Sequence, residues 1–316
     1  PAIATGCGVV VKPADLTPLA SIALWRLIER LDVPAGMLNL VIGRPGPIGE
    51  VLCSHPAVRL ISFTGSTAVG KLLIQQTAPH VKRLALELGG NAPYIVMDDA
   101  DPVAAADALM PNKFRCGGQT CVCANRIYVH RDIERAFVEA ISQRVASLRV
   151  GNGLDPQTDI GPLINRAAFE KVARHVGDAL ERGAVRQVGD DRPPPTADHG
   201  AFYSPTVLTN ANSQMMLSRE ETFGPVVAIE TFDTEEQAIA LANGTPYGLA
   251  AYLFTRDTAR ADRMIRRLSF GHVGLNTGTG PTPEAPFGGM KQSGFGREGG
   301  VEGLLEFTEL QTVVGS

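Results

Sequence analysis

Short apolar runs alternate along the chain with segments whose apolar positions recur at helical spacing. This is the pattern of an α/β protein with a parallel sheet. Residues 9–12, three valines and a lysine, form the first run, and Thr17-Pro18 then opens a helix to residue 31 with Leu19, Ile22, Leu24, Leu27 and Ile28 on one periodicity. Further strands are expected at 38–42, 60–63 and 84–86, with helices over 46–54 and 66–77 between them. Successive strand–helix–strand units predict a Rossmann-like, dinucleotide-binding domain over residues 1–86.

The alternation continues through residues 87–298, which are expected to form a second α/β domain. Strands are predicted at 94–96, 125–129, 226–232, 250–254 and 272–276, and helices at 102–113, 133–148 and 164–182. Asp191-Arg192-Pro193-Pro194-Pro195 is expected to be a surface loop. Residues 299–316 are expected to make a C-terminal return and oligomerisation strand, within which 304–314 alternates as an exposed strand that would pair with another domain or subunit. Pro1 leads almost directly into the first apolar run, so a segment is expected upstream of it.

Composition narrows the function. The chain has 316 residues, 44% hydrophobic, enough for two cores. A net charge of -4 with no basic cluster argues against nucleic acid and anionic lipid. No apolar run reaches membrane-spanning length, and a cytoplasmic location is expected. The cysteines at 7, 53, 116, 121 and 123 contain no CxxC pair, so no metal site is expected and the thiols should be reduced.

Two segments carry candidate chemistry. Ile61-Ser62-Phe63-Thr64-Gly65-Ser66-Thr67 is a strand, a tight turn at Gly65 and a helix start at Ser66, where backbone amides and the helix dipole suit a phosphate. The string mimics a P-loop, but Leu72 stands where a magnesium-binding hydroxyl is required, and an ordinary strand–helix turn remains the alternative. Gly117-Gly118-Gln119-Thr120-Cys121 is a glycine-rich approach to a thiol, which needs a base or a positive field to act as a nucleophile. Glu87 ends a strand, where sites of α/β proteins gather, and its carboxylate can take a proton from a thiol or from water.

These residues belong to an ordered set: Val11-Lys12-Pro13-Ala14, Phe63-Thr64-Gly65-Ser66-Thr67, Glu87-Leu88-Gly89-Gly90, Gly118-Gln119-Thr120-Cys121, Glu220-Glu221-Thr222-Phe223-Gly224-Pro225 and Pro286-Phe287-Gly288-Gly289. In this set the chain resembles the aldehyde dehydrogenase superfamily over nearly its whole length. The resemblance implies Cys121 as nucleophile, Glu87 as general base and Glu298 as a second glutamate of the proton path. It implies Lys12 at the adenosine ribose, Gly65 and Ser66 at the pyrophosphate, and Glu221 and Phe223 at the nicotinamide ribose and ring. Gly49, Leu88 and Gly89 complete the implied cofactor contacts.

Within the superfamily the chain is most similar to succinate-semialdehyde dehydrogenases, through Lys113-Phe114-Arg115, Cys121-Val122-Cys123-Ala124-Asn125, Lys291-Gln292-Ser293-Gly294 and Gly296-Arg297-Glu298-Gly299. That resemblance implies Arg115 and Ser293 gripping a distal carboxylate, a task for which a guanidinium fork is suited. It also implies a reversible disulfide between Cys121 and Cys123, with Cys116, where the subfamily usually has asparagine, as an alternative partner. Asp15 can accept from an unmodified ribose and would repel a 2′-phosphate, which favours NAD, with NADP as the alternative.

An oxyanion-donating asparagine and another substrate arginine are expected upstream of residue 1. Without that donor the 316-residue chain is expected to be poorly active, at a cost of roughly a hundredfold or more. The expected partner is a small aldehyde, with homodimers or homotetramers implied by the resemblance. Alternatives are a broad-specificity or glutarate-semialdehyde dehydrogenase, a non-catalytic dinucleotide-binding fragment, and a thiol esterase without redox chemistry.

Overall fold

The computed structural model describes residues 1–190 and 200–315; the predicted loop at 191–195 lies outside them. In chain order the strands are β1 (Val9–Val11), β2 (Leu38–Leu40), β3 (Leu60–Thr64), β4 (Arg83–Glu87), β5 (Ala92–Val96), β6 (Ala124–His130), β7 (Val185–Val188), β8 (Thr206–Thr209), β9 (Val226–Phe232), β10 (Ala250–Phe254), β11 (His272–Leu275) and β12 (Gly294–Phe295). The α-helices are α1 (Pro18–Ile28), α2 (Pro45–Ser54), α3 (Thr67–Thr77), α4 (Pro102–Phe114), α5 (Glu134–Ala146), α6 (Arg166–Glu181), α7 (Met216–Arg219), α8 (Glu235–Asn243), α9 (Thr258–Arg267) and α10 (Glu302–Leu305).

The chain divides into two compact units: Pro1–Glu87 with Thr282–Gly288 and Gly294–Ser316, and Leu88–Pro281 with Gly289–Ser293. Residues 294–316, which include the C-terminal return, group with the first unit. No helix among the described residues is long and apolar enough to cross a membrane.

In the first unit β1 pairs β2 in parallel, β3 pairs β4 in parallel, and β12 runs antiparallel on β4. The register sets Thr64 opposite Glu87, so the glycine turn after β3 and the glutamate ending β4 sit side by side. The Gly65 amide donates to the Glu87 carbonyl at 3.0 Å. Ser66 then caps α3, its Oγ accepting from the Val69 amide at 3.3 Å.

Within this single chain, residues 304–314 form no strand among the described residues. Their start lies in the one-turn helix α10, and the backbone beyond pairs with no strand among the described residues. The Thr308 carbonyl instead accepts from Arg83, and Leu310, Val313 and Val314 are exposed. Side-chain alternation alone makes no strand when the backbone lacks a partner.

The second unit is a seven-stranded sheet of order β11-β10-β5-β6-β9-β8-β7, parallel except for β7 on β8. Its central strands β5, β6 and β10 are buried over almost their whole length, as apolar strands covered on both faces should be. Tyr94 on β5 packs against Tyr252 and Phe254 on β10, and its hydroxyl donates to the Ala105 carbonyl of α4. Asp101 fixes the start of α4, accepting from Val103 and Ala104, with Pro102 in the first turn. The β5–α4–β6 unit thus delivers the chain to Cys121 immediately before a buried strand.

Candidate active site

After α4 the chain makes a tight turn over Arg115–Gly118, with φ of +53° at Cys116, +64° at Gly117 and +75° at Gly118. A Cβ at Gly118 would overlap the Gly224 carbonyl oxygen, so only glycine lets this loop rest on the Gly224-Pro225 backbone. A Cβ at Gly90 would come within 2.5 Å of the Cys121 carbonyl oxygen, so the loop is closely backed there too. Cys121 itself is half-buried.

The loop's polar groups are held individually. Tyr252 Oη donates to the Val122 carbonyl at 2.7 Å. Asn112 accepts from the Ala124 amide at 2.7 Å through Oδ1 and donates to the Gly278 carbonyl at 2.9 Å through Nδ2. Gln119 donates to the Cys116 carbonyl and accepts from the Ile164 amide, each at 2.9 Å. The buried Cys123 thiol donates to the Gly118 carbonyl at 3.2 Å. Such anchoring fixes the direction in which a nucleophile is presented.

A second segment, Glu220 to Pro225, is tied to the same framework. Asn125 donates to the Asn91 side chain at 2.7 Å and accepts from the Thr222 amide at 3.3 Å. Arg126, buried in β6, donates to the carbonyls of Asn91, Leu241 and Ala242. Glu221 Oε1 accepts from the Gly90 amide at 3.1 Å, and burial pushes this carboxyl up to about 7 against the pull of that amide and of Lys171 and Lys113. Phe223 holds φ +56°, a left-handed conformation that costs an aromatic residue about 1–3 kcal/mol. Strain of that size is retained where the ring's direction matters.

The other expected residues fall as follows. Arg115 is exposed at the end of α4, and a Cβ at Gly280 would meet its Nη2 at 4.0 Å. Ser293 is fully buried, donates to the Gly89 carbonyl at 2.7 Å and accepts from the Gly248 amide at 2.9 Å. These bonds brace the Leu88-Gly89 turn, whose Leu88 amide also donates to the Ser293 carbonyl at 3.0 Å.

In the first unit Glu87 is buried at the end of β4, and Lys12 donates to the Pro13 carbonyl at 2.9 Å and pairs with Asp15. Gly49 lies within α2, with open space where a Cβ would be. Glu298 is exposed, its backbone bridged in both directions with Phe287 at 2.7 Å. Among the described residues no His, Cys, Asp and Glu cluster could hold a metal.

Sequence reasoning passed over Asn91, Asn112, Asn125, Arg126 and Tyr252. Their signal was polar groups inside apolar runs, each of which must find a buried partner.

The whole arrangement matches known proteins closely. The model of the aldehyde dehydrogenase family matches residues 1–313. The chain is 48% identical over 313 residues to the 3-sulfolactaldehyde dehydrogenase of Pseudomonas putida, covering 99% of this chain and 64% of that one. It is 49% identical over 314 residues to succinate-semialdehyde dehydrogenase [NADP(+)] 1 of Schizosaccharomyces pombe, covering 99% and 62%. The crystal structure of an oxidoreductase from Marinobacter aquaeolei superposes with a TM-score of 0.96 at 56% identity, covering 99% of this chain and 64% of that one. The chain thus spans somewhat under two thirds of the length of these relatives. With its motifs, its fold and its near-complete match to the family's model in agreement, the chain belongs to the aldehyde dehydrogenase family.

Proposed function

We propose that the protein oxidises a small aldehyde bearing an anionic group, succinate semialdehyde in the first instance, to the corresponding acid with a nicotinamide dinucleotide. One observation carries this reading: a single anchored loop presents both a half-buried thiol, Cys121, and an exposed guanidinium, Arg115. The thiol suits a carbonyl carbon and the guanidinium suits an anion at the far end of the same small molecule. The aldehydes for which two relatives are named, succinate semialdehyde and 3-sulfolactaldehyde, both carry such an anion.

The residues present suit a dinucleotide. The turn at Gly65-Ser66 leads into a helix N-terminus, Lys12 offers an ammonium, and Glu221 is an acceptor with one oxygen already fixed by Gly90. When bound, the nicotinamide supplies the hydride acceptor. Asp15 suits an unmodified ribose, which favours NAD; its pairing with Lys12 leaves NADP as the alternative.

In this reading the Cys121 thiolate adds to the aldehyde carbon, and the carbonyl electrons move to oxygen. Collapse of that oxyanion expels hydride and leaves a thioester on Cys121. Glu87 takes a proton from the water that attacks the thioester, and the thiolate departs to give the acid. Arg115 holds the distal anion, and Phe223 positions the cofactor ring. A rate comparison on the whole protein tests it: succinate semialdehyde should be preferred over propanal, and Arg115→Ala should lose about 10²-fold on the former while barely changing the latter. Equal efficiency on both aldehydes in the wild-type protein would refute the anionic specificity.

A further inference from the structure

Lys113, the penultimate residue of α4, is fully buried, and its Nζ has no hydrogen-bond partner among the described residues. A buried ammonium with no acceptor is costly, and a lysine so placed either sheds its charge or answers a nearby anion. Two acidic side chains act on it, Cys123 and Glu221. The Cys123 thiol donates its proton to the Gly118 carbonyl and so offers no anion in this arrangement. Glu221 remains.

Around Glu221 the Gly90 amide donates to Oε1, Lys171 on α6 and Lys113 on α4 contribute positive charge, and Tyr247 lies in the field of Glu221 and the adjacent Glu220. Burial raises Glu221 and lowers Lys113, while each draws the other back towards its charged form. Ionised, a carboxylate is acceptor-only and can receive both hydroxyls of a ribose; protonated, one of its oxygens becomes a donor and that fit is lost.

We propose that Lys113 is a positioning residue for the cofactor, acting through Glu221: its buried, acceptor-less ammonium keeps Glu221 an acceptor-only carboxylate for the hydroxyls of the nicotinamide ribose. This rests on the reading of Glu221 given under the proposed function. It assigns a purpose to a charge that packing alone would exclude.

Fluorescence titration of the whole protein with NADH from pH 6 to 9 tests the inference. Wild-type affinity should rise through a midpoint about 7 as Glu221 ionises. In Lys113→Met the midpoint should move up by about one unit, so that affinity at pH 7 falls several-fold, up to about tenfold, and recovers by pH 9. Adding Lys113→Met to Glu221→Gln should change the dissociation constant less than twofold, because no carboxylate remains to be held. An unshifted midpoint in Lys113→Met, or an equal loss in the Glu221→Gln background, overturns the proposal.

If Lys113→Met does not fold, nitrogen NMR of labelled lysine decides the matter. Lys113 should titrate at lower pH in Glu221→Gln than in wild type, and an unchanged value overturns the linkage. Wild-type protein that binds no NADH at any pH would instead overturn the nicotinamide site itself, which separates the two failures.

Discussion

Gly118→Ala perturbs the contact on which the thiol's loop rests. The added Cβ would lie 2.5 Å from the Gly224 carbonyl carbon and 3.0 Å from the Pro225 nitrogen. Carbon atoms without a bond approach to about 3.5 Å, so the loop would retreat by about 1 Å. Alanine at φ +75° adds about 1–2 kcal/mol of backbone cost, and overpacking about 1–3 kcal/mol. For a unit of this size each kcal/mol lowers the melting temperature by about 2–4 °C, so a fall on the order of 10 °C is expected. Under the proposed mechanism, a 1 Å displacement of the Cys121 sulfur should also cost about 10²-fold in kcat/KM. Thermal melts and aldehyde turnover of the whole protein measure both effects. Gly177→Ala in α6 is the control: nothing lies within 4 Å of its Cβ, and it should gain about 0.5–1 kcal/mol. A Gly118→Ala protein that melts and turns over like wild type would refute the steric argument.

Three further outcomes are expected. Ser293→Ala leaves the Gly89 carbonyl and the Gly248 amide without their partner, and should cost about 1–3 kcal/mol in denaturant titration; unchanged stability would contradict that bracing. Burial pushes Glu230 on β9 up to about 7, above its unfolded value, so the native state binds the extra proton and this group's contribution fades as pH rises from about 4 to 7. Glu230→Gln should accordingly gain on wild type between pH 5 and pH 8, and a pH-independent difference would contradict that sign. Peroxide should inactivate the enzyme and dithiothreitol restore it, whereas Cys123→Ala should not recover; identical recovery would exclude the Cys121–Cys123 disulfide.

Much of this was legible because local rules and the fold agree. The cap Ser66, the prolines in first turns and the apolar run of β6 marked elements that the structure contains. Cys121 and Glu87 stood out because one follows two glycines and the other ends a strand. What escaped depends on partners. β7 is short and half-exposed, and β12 has only two residues, so neither has a period to read. α9 is a polar helix whose Asp257 cap was the available signal. Residues 304–314 alternate correctly, yet strand formation needs a neighbour that alternation does not reveal. Lys113 reads as a surface charge at a helix end until its burial is seen.

The chemistry proposed here depends above all on the Cys121 sulfur, and the most direct measurement is nicotinamide reduction by the whole protein carrying Cys121→Ala, with succinate semialdehyde as substrate. Removal of a covalent nucleophile should lower kcat by at least about 10⁴-fold while leaving NADH binding and the melting temperature near wild type. A variant that still reduces NAD or NADP within tenfold of the wild-type rate would contradict covalent catalysis at this residue.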